Sequence, residues 1–315
     1  MTADAARPDR LMLLDTAALY FRAYYGIPDA VHAPDGTSVN ATRGLLDIIA
    51  RLVGEFAPTH LVACWDEDWR PQWRVDLIPS YKAHRVAAEV ETAPDVEVVP
   101  DTLSPQVPVI REVLGALGIP VVGAAEHEAD DVLGTLASTS DMPVDVVTGD
   151  RDLFQLVDDA RDVRVIYTGR GMSNLEILTD DVVRAKYGVS ATQYADFATM
   201  RGDASDGLPG VAGVGEKTAA ALLAAHGDLA GIRAAALDPG SALTAGQRAK
   251  FAAASDYLDV APQVVAVVRD LDLPQVEARI RVPDADGAAA LDALGERWNL
   301  GASLARVRAA LDAAA

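Results

Sequence analysis

The chain has 315 residues, half of them apolar and under a quarter charged, which suits one large globular domain or two ordinary ones with a real core. With 27 basic and 47 acidic residues, the formal net charge is −20. That argues against a simple nucleic-acid binder with a basic footprint, though not against carboxylates gathered around cations. The single cysteine, Cys64, lies in the apolar run HLVACWD, so an intramolecular disulfide and a thiolate zinc site are both excluded. The five histidines are scattered without metal-ligand spacing.

Residues 1–10 lack the apolar segment of a signal peptide and read as a disordered leader. LMLLD (11–15) reads as a buried strand ending in an acid, and TAALYFRAYYG after it as a helix. GLLDIIARLVGEF (44–56) is an amphipathic helix stopped by Pro58, and HLVACWD (60–66) a second buried strand ending in aspartate. Residues 85–107, rich in Glu, Asp, Val and Pro, read as a flexible or partly helical insertion. VPVIREVLGALG (107–118) is a helix, IPVVGA (119–124) a strand, and EADDVLGTLAS opens a further helix. VDVVTGD (144–150) is a third apolar run ending in aspartate, and VRVIYT and LEIL complete a first region near residue 180. Strands alternating with helices predict a parallel α/β sheet with right-handed crossovers.

From residue 181 the character is helical. DDVVRAKYG, TQYADFATMRG, KTAAALLAAHG, LAGIRAAAL and TAGQRAKFAAASDYL read as short helices. VVAVVRDLDL is expected to form a last strand, and LDALGERWNL and SLARVRAALDAA to close the chain as helices. No stretch approaches the ~18 apolar residues of a membrane span, and a cytoplasmic location is the expectation.

Asp15, Asp66 and Asp150 each end a strand-like run. Ligands of open α/β sheets bind outside the carboxyl ends of the strands, so neighbouring strands would bring the three into one crevice. EHEADD adds Glu128, Asp130 and Asp131, TGDRD adds Asp152, and GDASD adds Asp203 and Asp206. One aspartate after a strand is commonly a turn residue or an N-cap. Nine such acids at punctuated positions are better explained by hard divalent cations, because close carboxylates raise one another's pKa. Mg²⁺ or Mn²⁺ takes oxygen ligands, and a pair of ions about 3.5–4 Å apart suits in-line phosphodiester displacement.

RGDASDGLPGVAGVGEKTAAALL (201–223) sets acid, then glycines, then a helix. It is not a Walker A loop, because Glu216 interrupts the Gly-Lys pair, nor a dinucleotide fingerprint, because Thr218 stands at the last glycine. It suits a hairpin between two helices. Gly210, Gly213 and Gly215 let the backbone approach a phosphate, while Lys217 and the amides around Thr218 supply positive charge. Such a surface follows a nucleic-acid backbone without reading bases.

LLDTAALYFRAYYG, WD at 65–66, SYKAHR, EADDVLG, TGDRDLFQL and GDASDGLPGVAGVGEKTA occur in an order and spacing that resemble the 5′-nuclease family. The chain looks like the 5′→3′ exonuclease domain of bacterial DNA polymerase I and related flap endonucleases, from about residue 11 to near the end. The resemblance implies a PIN-like (resolvase-like) α/β domain over 11–180, with an arch or clamp at about 80–107. A helix–three-turn–helix region would follow over 181–315.

It further implies a first metal held by Asp15, Asp66, Glu128 and Asp130, with Asp131 near it through water. A second would be held by Asp150, Asp152, Asp203 and Asp206. Arg22, Arg74 and Lys82 match basic positions near the scissile phosphate, and Phe21 an aromatic that stacks on a terminal base. The hairpin would hold a monovalent cation such as K⁺ on backbone carbonyls, Val211 and Gly213 among them. The implied activity is divalent-metal-dependent cleavage of DNA at 5′ ends, nicks or flaps, or of an RNA–DNA hybrid, in primer removal or repair; in departure from the polymerase, no polymerase or proofreading sequence follows, and a stand-alone, monomeric nuclease is the expectation. Two departures stand out: Gly207 replaces the usual asparagine of the GDxSDN pattern, and AAEVETAPDVEVVPD makes the arch acidic. A catalytically weak module that binds branched nucleic acid and a PIN-type ribonuclease are the alternatives.

Overall fold

The computed structural model describes residues 8–90 and 93–315. Most of the expected leader and two residues of the arch therefore lie outside the described residues. Among the described residues, eight strands and thirteen α-helices follow in chain order. They are β1 (Leu11–Asp15), α1 (Thr16–Gly26), α2 (Asn40–Phe56), β2 (His60–Cys64) and α3 (Gln72–Leu77). Next come β3 (Val86–Ala88), β4 (Val96–Glu97), α4 (Gln106–Ala116), β5 (Val121–Val122), α5 (Ala129–Thr139) and β6 (Val144–Thr148). After β7 (Val163–Tyr167) and β8 (Glu176–Leu178) come α6 (Asp180–Tyr187), α7 (Tyr194–Arg201), α8 (Glu216–His226), α9 (Leu229–Leu237) and α10 (Ala245–Ala253). The chain closes with α11 (Ser255–Val265), α12 (Ala285–Arg297) and α13 (Gly301–Ala314).

Six strands form one sheet in the order β5-β2-β1-β6-β7-β8. All its pairs are parallel except β7–β8. Both faces are covered, which explains why the strands are nearly continuous runs of apolar residues. Leu11, Leu13, Val144 and Val146 pack with α5 and the helical region on one face. Met12, Leu14, Leu61 and Val147 pack on the other with α1, α2 and α4. Because β2 and β6 flank β1 on opposite sides, the crevice above β1 is a topological switch point of the kind where α/β sheets bind ligands.

Three expectations are corrected. The segment VVAVVRDLDL forms no strand: Val264 and Val265 end α11, and the following amides are taken by side chains. Val267 N–H donates to Gln155 Oε1 at 3.1 Å, Val268 N–H to Asp131 Oδ1 at 2.9 Å and Leu271 N–H to Thr135 Oγ1 at 3.3 Å. With its donors satisfied in this way, the segment lies along α5 instead of joining the sheet. The insertion after residue 85 carries a short antiparallel hairpin, β3–β4, not helix. The closing helices α12 and α13 pack against α4 and α2 of the sheet domain, through Leu291, Leu304, Val307 and Leu311 in its core. Among the described residues no single helix is long and apolar enough to cross a membrane.

Candidate active site

β1, β2 and β6 are adjacent, so Asp15, Asp66 and Asp150 emerge side by side at their carboxyl ends. Asp130, in the first turn of α5, joins them along a trough of about 1310 Å³. Three of the four are oriented by hydrogen bonds. Asp15 caps α1, accepting from Ala18 N–H at 3.1 Å, and its other oxygen accepts from the Thr148 hydroxyl at 2.7 Å. Asp66 accepts from Ala129 N–H at 2.7 Å, at the amino end of α5. Asp150 accepts from Asp152 N–H at 2.8 Å.

The crowding is costly. Burial holds the Asp15 carboxyl up at about 7, opposed by the Thr148 hydrogen bond and reinforced by the charges of Asp66 and Asp150. Burial lifts Asp66 to about 6, and lifts Asp130 well above the usual carboxylate range with help from Asp150 and Asp15. Asp152 is raised to about 8, by burial and then by Asp150, and Asp206 to about 6, chiefly by burial. Asp15, Asp66, Asp130 and Asp150 are hard oxygen donors without an ion-pair partner among the described residues, which fits divalent cations. Among the described residues no three acid or imidazole groups enclose one ion unaided. A cation here would complete its shell with water or substrate oxygen, as Mg²⁺ ordinarily does.

The other predicted acids are held by internal partners, most of them cations. Glu128 accepts from Arg74 Nη1 at 3.1 Å, from the Tyr81 hydroxyl at 2.7 Å, and from Lys82 Nζ. Asp131, 0% exposed, accepts from Arg74 Nη2 at 2.7 Å and Nη1 at 2.8 Å, and also from Val268 N–H. Asp206 accepts from Arg85 Nη2 at 2.9 Å, and Asp203 accepts from Ser205 N–H at 2.8 Å and from its hydroxyl.

The expected place of Arg74 beside the scissile phosphate is corrected here. Its guanidinium is 2% exposed, lies 4.3 Å over the Trp73 ring, and is saturated by Asp131, Glu128 and the Val264 carbonyl. Asp131 is likewise a buried partner of Arg74 and a member of the α5 capping box, with its oxygens already taken. Arg22 does line the trough. Its Nη2 lies 3.6 Å from where a β-carbon on Gly149 would sit, and its Nε is buried without a partner among the described residues. The guanidinium thus shares the trough with the acids, where a phosphate oxygen would accept a charge-assisted hydrogen bond from it. Lys82 faces the same trough from a left-handed backbone position (φ 49°), and Phe21 and Tyr25 lie on its rim with ring planes 15° apart.

The hairpin forms between α7 and α8. Gly210 (φ 63°) is obligatory, since a β-carbon there would lie 2.6 Å from Gly202 N. Gly213, Gly215 and Lys217 are exposed and Thr218 partly so, with Gly215 capping α8. Of the two carbonyls implied for a monovalent cation, Gly213 O already accepts from Lys250 Nζ at 3.1 Å and Val211 O from Val214 N–H at 2.9 Å.

Sequence reasoning missed Arg201 and Arg151. Arg201 Nη2 lies 3.4 Å from Asp152 and 3.5 Å from Asp203, and its Nη1 is 3.9 Å from Glu216. Arg151 holds the same Glu216 at 2.7 Å. Together they tie the second acidic group to the first residue of the hairpin helix. The only signal was an arginine beside each acid, in TMRGD and TGDRD.

With this geometry in view, residues 10–188 match the model of the 5′-3′ exonuclease N-terminal resolvase-like domain, and residues 189–288 that of its C-terminal SAM fold. The chain belongs to the 5′-3′ exonuclease family. A 5′-3′ exonuclease of Streptomyces coelicolor is 61% identical over 302 residues, covering 96% of this chain and 100% of that protein. One of Mycobacterium tuberculosis is 49% identical over 313 residues, covering 96% and 98%. DNA polymerase I of Mycobacterium bovis is 43% identical over 230 residues, which span 72% of this chain but only 24% of the polymerase. Among solved structures, T5 5′-exonuclease with bound zinc ions matches with a TM-score of 0.61 at 16% identity, covering 96% of this chain and 98% of that one. Human GEN1 in complex with Holliday junction DNA matches equally well at 0.61 and 16%, covering 94% and 71%. At such identities these neighbours bear on the fold. The 5′-3′ exonuclease family is a nuclease family, and the trough is its candidate catalytic centre.

Proposed function

We propose that this family member is a divalent-metal-dependent 5′→3′ exonuclease and flap endonuclease. It cuts DNA phosphodiesters near 5′ ends or branch junctions and serves primer removal or repair as a cytoplasmic monomer. The observation that carries this reading is the convergence of Asp15, Asp66, Asp130 and Asp150 in one desolvated trough, where their charges raise one another's proton affinity.

Mg²⁺ or Mn²⁺ held there by these acids would supply the Lewis acidity that activates water and offsets charge on the phosphorane-like transition state. Asp15 and Asp66, fixed by Thr148 and by the Ala129 amide, keep their oxygens aimed into the trough. Arg22, in the trough lining, donates to a phosphate oxygen, and Lys82 exchanges Glu128 for another. The P–O3′ bond breaks, leaving a 3′-hydroxyl and a 5′-phosphate. Arg201 holds Asp152 and Asp203 in place, while the amides of Gly213, Gly215, Glu216 and Lys217, with the Lys217 side chain, bind duplex backbone away from the chemistry. A K⁺ ion at the hairpin belongs to the same proposal.

The test is a 5′-flapped duplex labelled at either end, incubated with Mg²⁺, Mn²⁺ or EDTA, with Asp150→Ala run alongside. Metal-dependent release from the 5′ side, lost in the variant, is expected. Retained binding to the duplex without cleavage in any metal would leave a binding module instead.

A further inference from the structure

One acid in the trough wall takes no part in the scheme above. Glu97, on β4, pairs with Val86 on β3, and the next amide, Val98 N–H, donates to the Arg85 carbonyl at 2.8 Å. These bonds set its half-buried side chain beside the Lys82–Arg85 loop, where it lines the trough with Tyr20, Trp65 and Trp69. The hairpin is anchored two residues earlier. Arg70 Nη1 donates to the Asp95 carboxylate, the Trp69 indole N–H donates to the Asp95 carbonyl at 2.6 Å, and Arg70 Nε donates to the Tyr81 carbonyl at 2.7 Å. Glu97 is therefore a held charge and not one on a loose loop.

A single strand passing beneath β3–β4 brings one negative charge per nucleotide, and proteins that track single strands answer it with a positive groove. Here the two cations of the loop that faces β4 are already matched, Lys82 by Glu128 and Arg85 by Asp206. Glu97 makes no direct ion pair among the described residues; Arg85 and Lys82 act on it only at longer range, and because Asp206 and Glu128 already draw on them, the three acids outnumber the two cations where the strand would pass. The half-buried rings of Tyr20 and Trp69 could still take one base, which needs no passage through the wall.

From this placement we infer that Glu97 is a specificity-determining residue that disfavours long 5′ flaps, biasing cleavage toward nicks, gaps and flaps of one or two nucleotides. The inference rests on the nuclease reading above and deepens it.

The experiment compares wild-type, Glu97→Gln and Glu97→Lys proteins on a nicked duplex, a one-nucleotide flap and a long flap. Single-turnover cleavage is measured in Mg²⁺, and equilibrium binding in Ca²⁺. One charge acting at close range on a phosphate through water is worth about five-fold. The ratio of long-flap to nick cleavage should therefore rise about five-fold in Glu97→Gln and about twenty-five-fold in Glu97→Lys, with the binding ratio moving the same way. A purely structural role would lower Tm and scale all substrates together. Unchanged ratios in both variants, with the nick still cut, would overturn this inference and leave the nuclease reading intact. Should no substrate be cut, the nuclease reading fails, and the binding ratios alone decide whether Glu97 screens single strands.

Discussion

Replacing Arg74 with alanine separates two accounts of that side chain. If it contacts the scissile phosphate, as the family resemblance implies, its loss should slow chemistry and spare the fold. The structure instead places the guanidinium against Asp131, which is wholly buried, and Glu128, which is 2% exposed. Removing one member of a buried ion pair costs about 3–5 kcal/mol, because the partner's charge is left uncompensated. Glu128 would keep Lys82 and the Tyr81 hydroxyl, and Asp131 would keep the Val268 amide, which favours the lower end of that range. At roughly 2–4 °C per kcal/mol for a chain of this size, Tm should fall on the order of 10 °C. Arg74→Lys retains the charge but not the two-pronged geometry and should fall between. Thermal unfolding followed by circular dichroism gives the shift, and single-turnover cleavage well below Tm gives the chemical rate. An unmoved Tm with cleavage lost in Arg74→Ala would refute the buried-pair account.

In metal-free protein, stability should rise as the pH falls from about 8 to about 6. The folded-state values of Asp15, Asp66, Asp152 and Asp206 are raised, so the native state binds more protons than the unfolded chain in that window. Tm measured across the window should show the gain in EDTA and lose it in saturating Mg²⁺; a flat profile in EDTA would contradict the crowding described here. Arg201→Ala should lower the metal-free Tm, since Asp152 and Asp203 lose their shared cation, and Mg²⁺ should restore most of the loss. An equal loss with and without Mg²⁺ would argue against that link. Lys217→Ala should weaken duplex binding modestly and reduce the salt slope by about one, with little change in single-turnover cleavage at saturating enzyme. A large chemical defect there would break the division between hairpin and trough.

The sheet and the core of the site were legible because their signals are local. Asp15, Asp66 and Asp150 each follow an apolar run, and a parallel sheet puts the ends of such runs on one edge. What sequence could not disclose was which acids are already neutralised. Arg74 lies 54 and 57 residues from Glu128 and Asp131, and nothing local announces that it holds them. The supposed strand at VVAVVRDLDL failed for a similar reason, since its amides are claimed by Gln155, Asp131 and Thr135 from other elements. The closing helices read correctly as helices, but their partners, α2 and α4, follow only from the packing of Leu304, Val307 and Leu311. Glu97 was hidden in an acidic stretch without periodicity, and only its pairing with Val86 singles it out.

The central claim is that the crevice acids hold divalent ions. It is tested most directly by isothermal titration of Mn²⁺ into metal-free wild-type, Asp130→Ala and Asp150→Ala proteins. The account predicts saturable binding by the wild type that is lost or sharply weakened in both variants, while their circular dichroism is unchanged. Equal Mn²⁺ binding by all three proteins, or none by the wild type at millimolar metal, would contradict it.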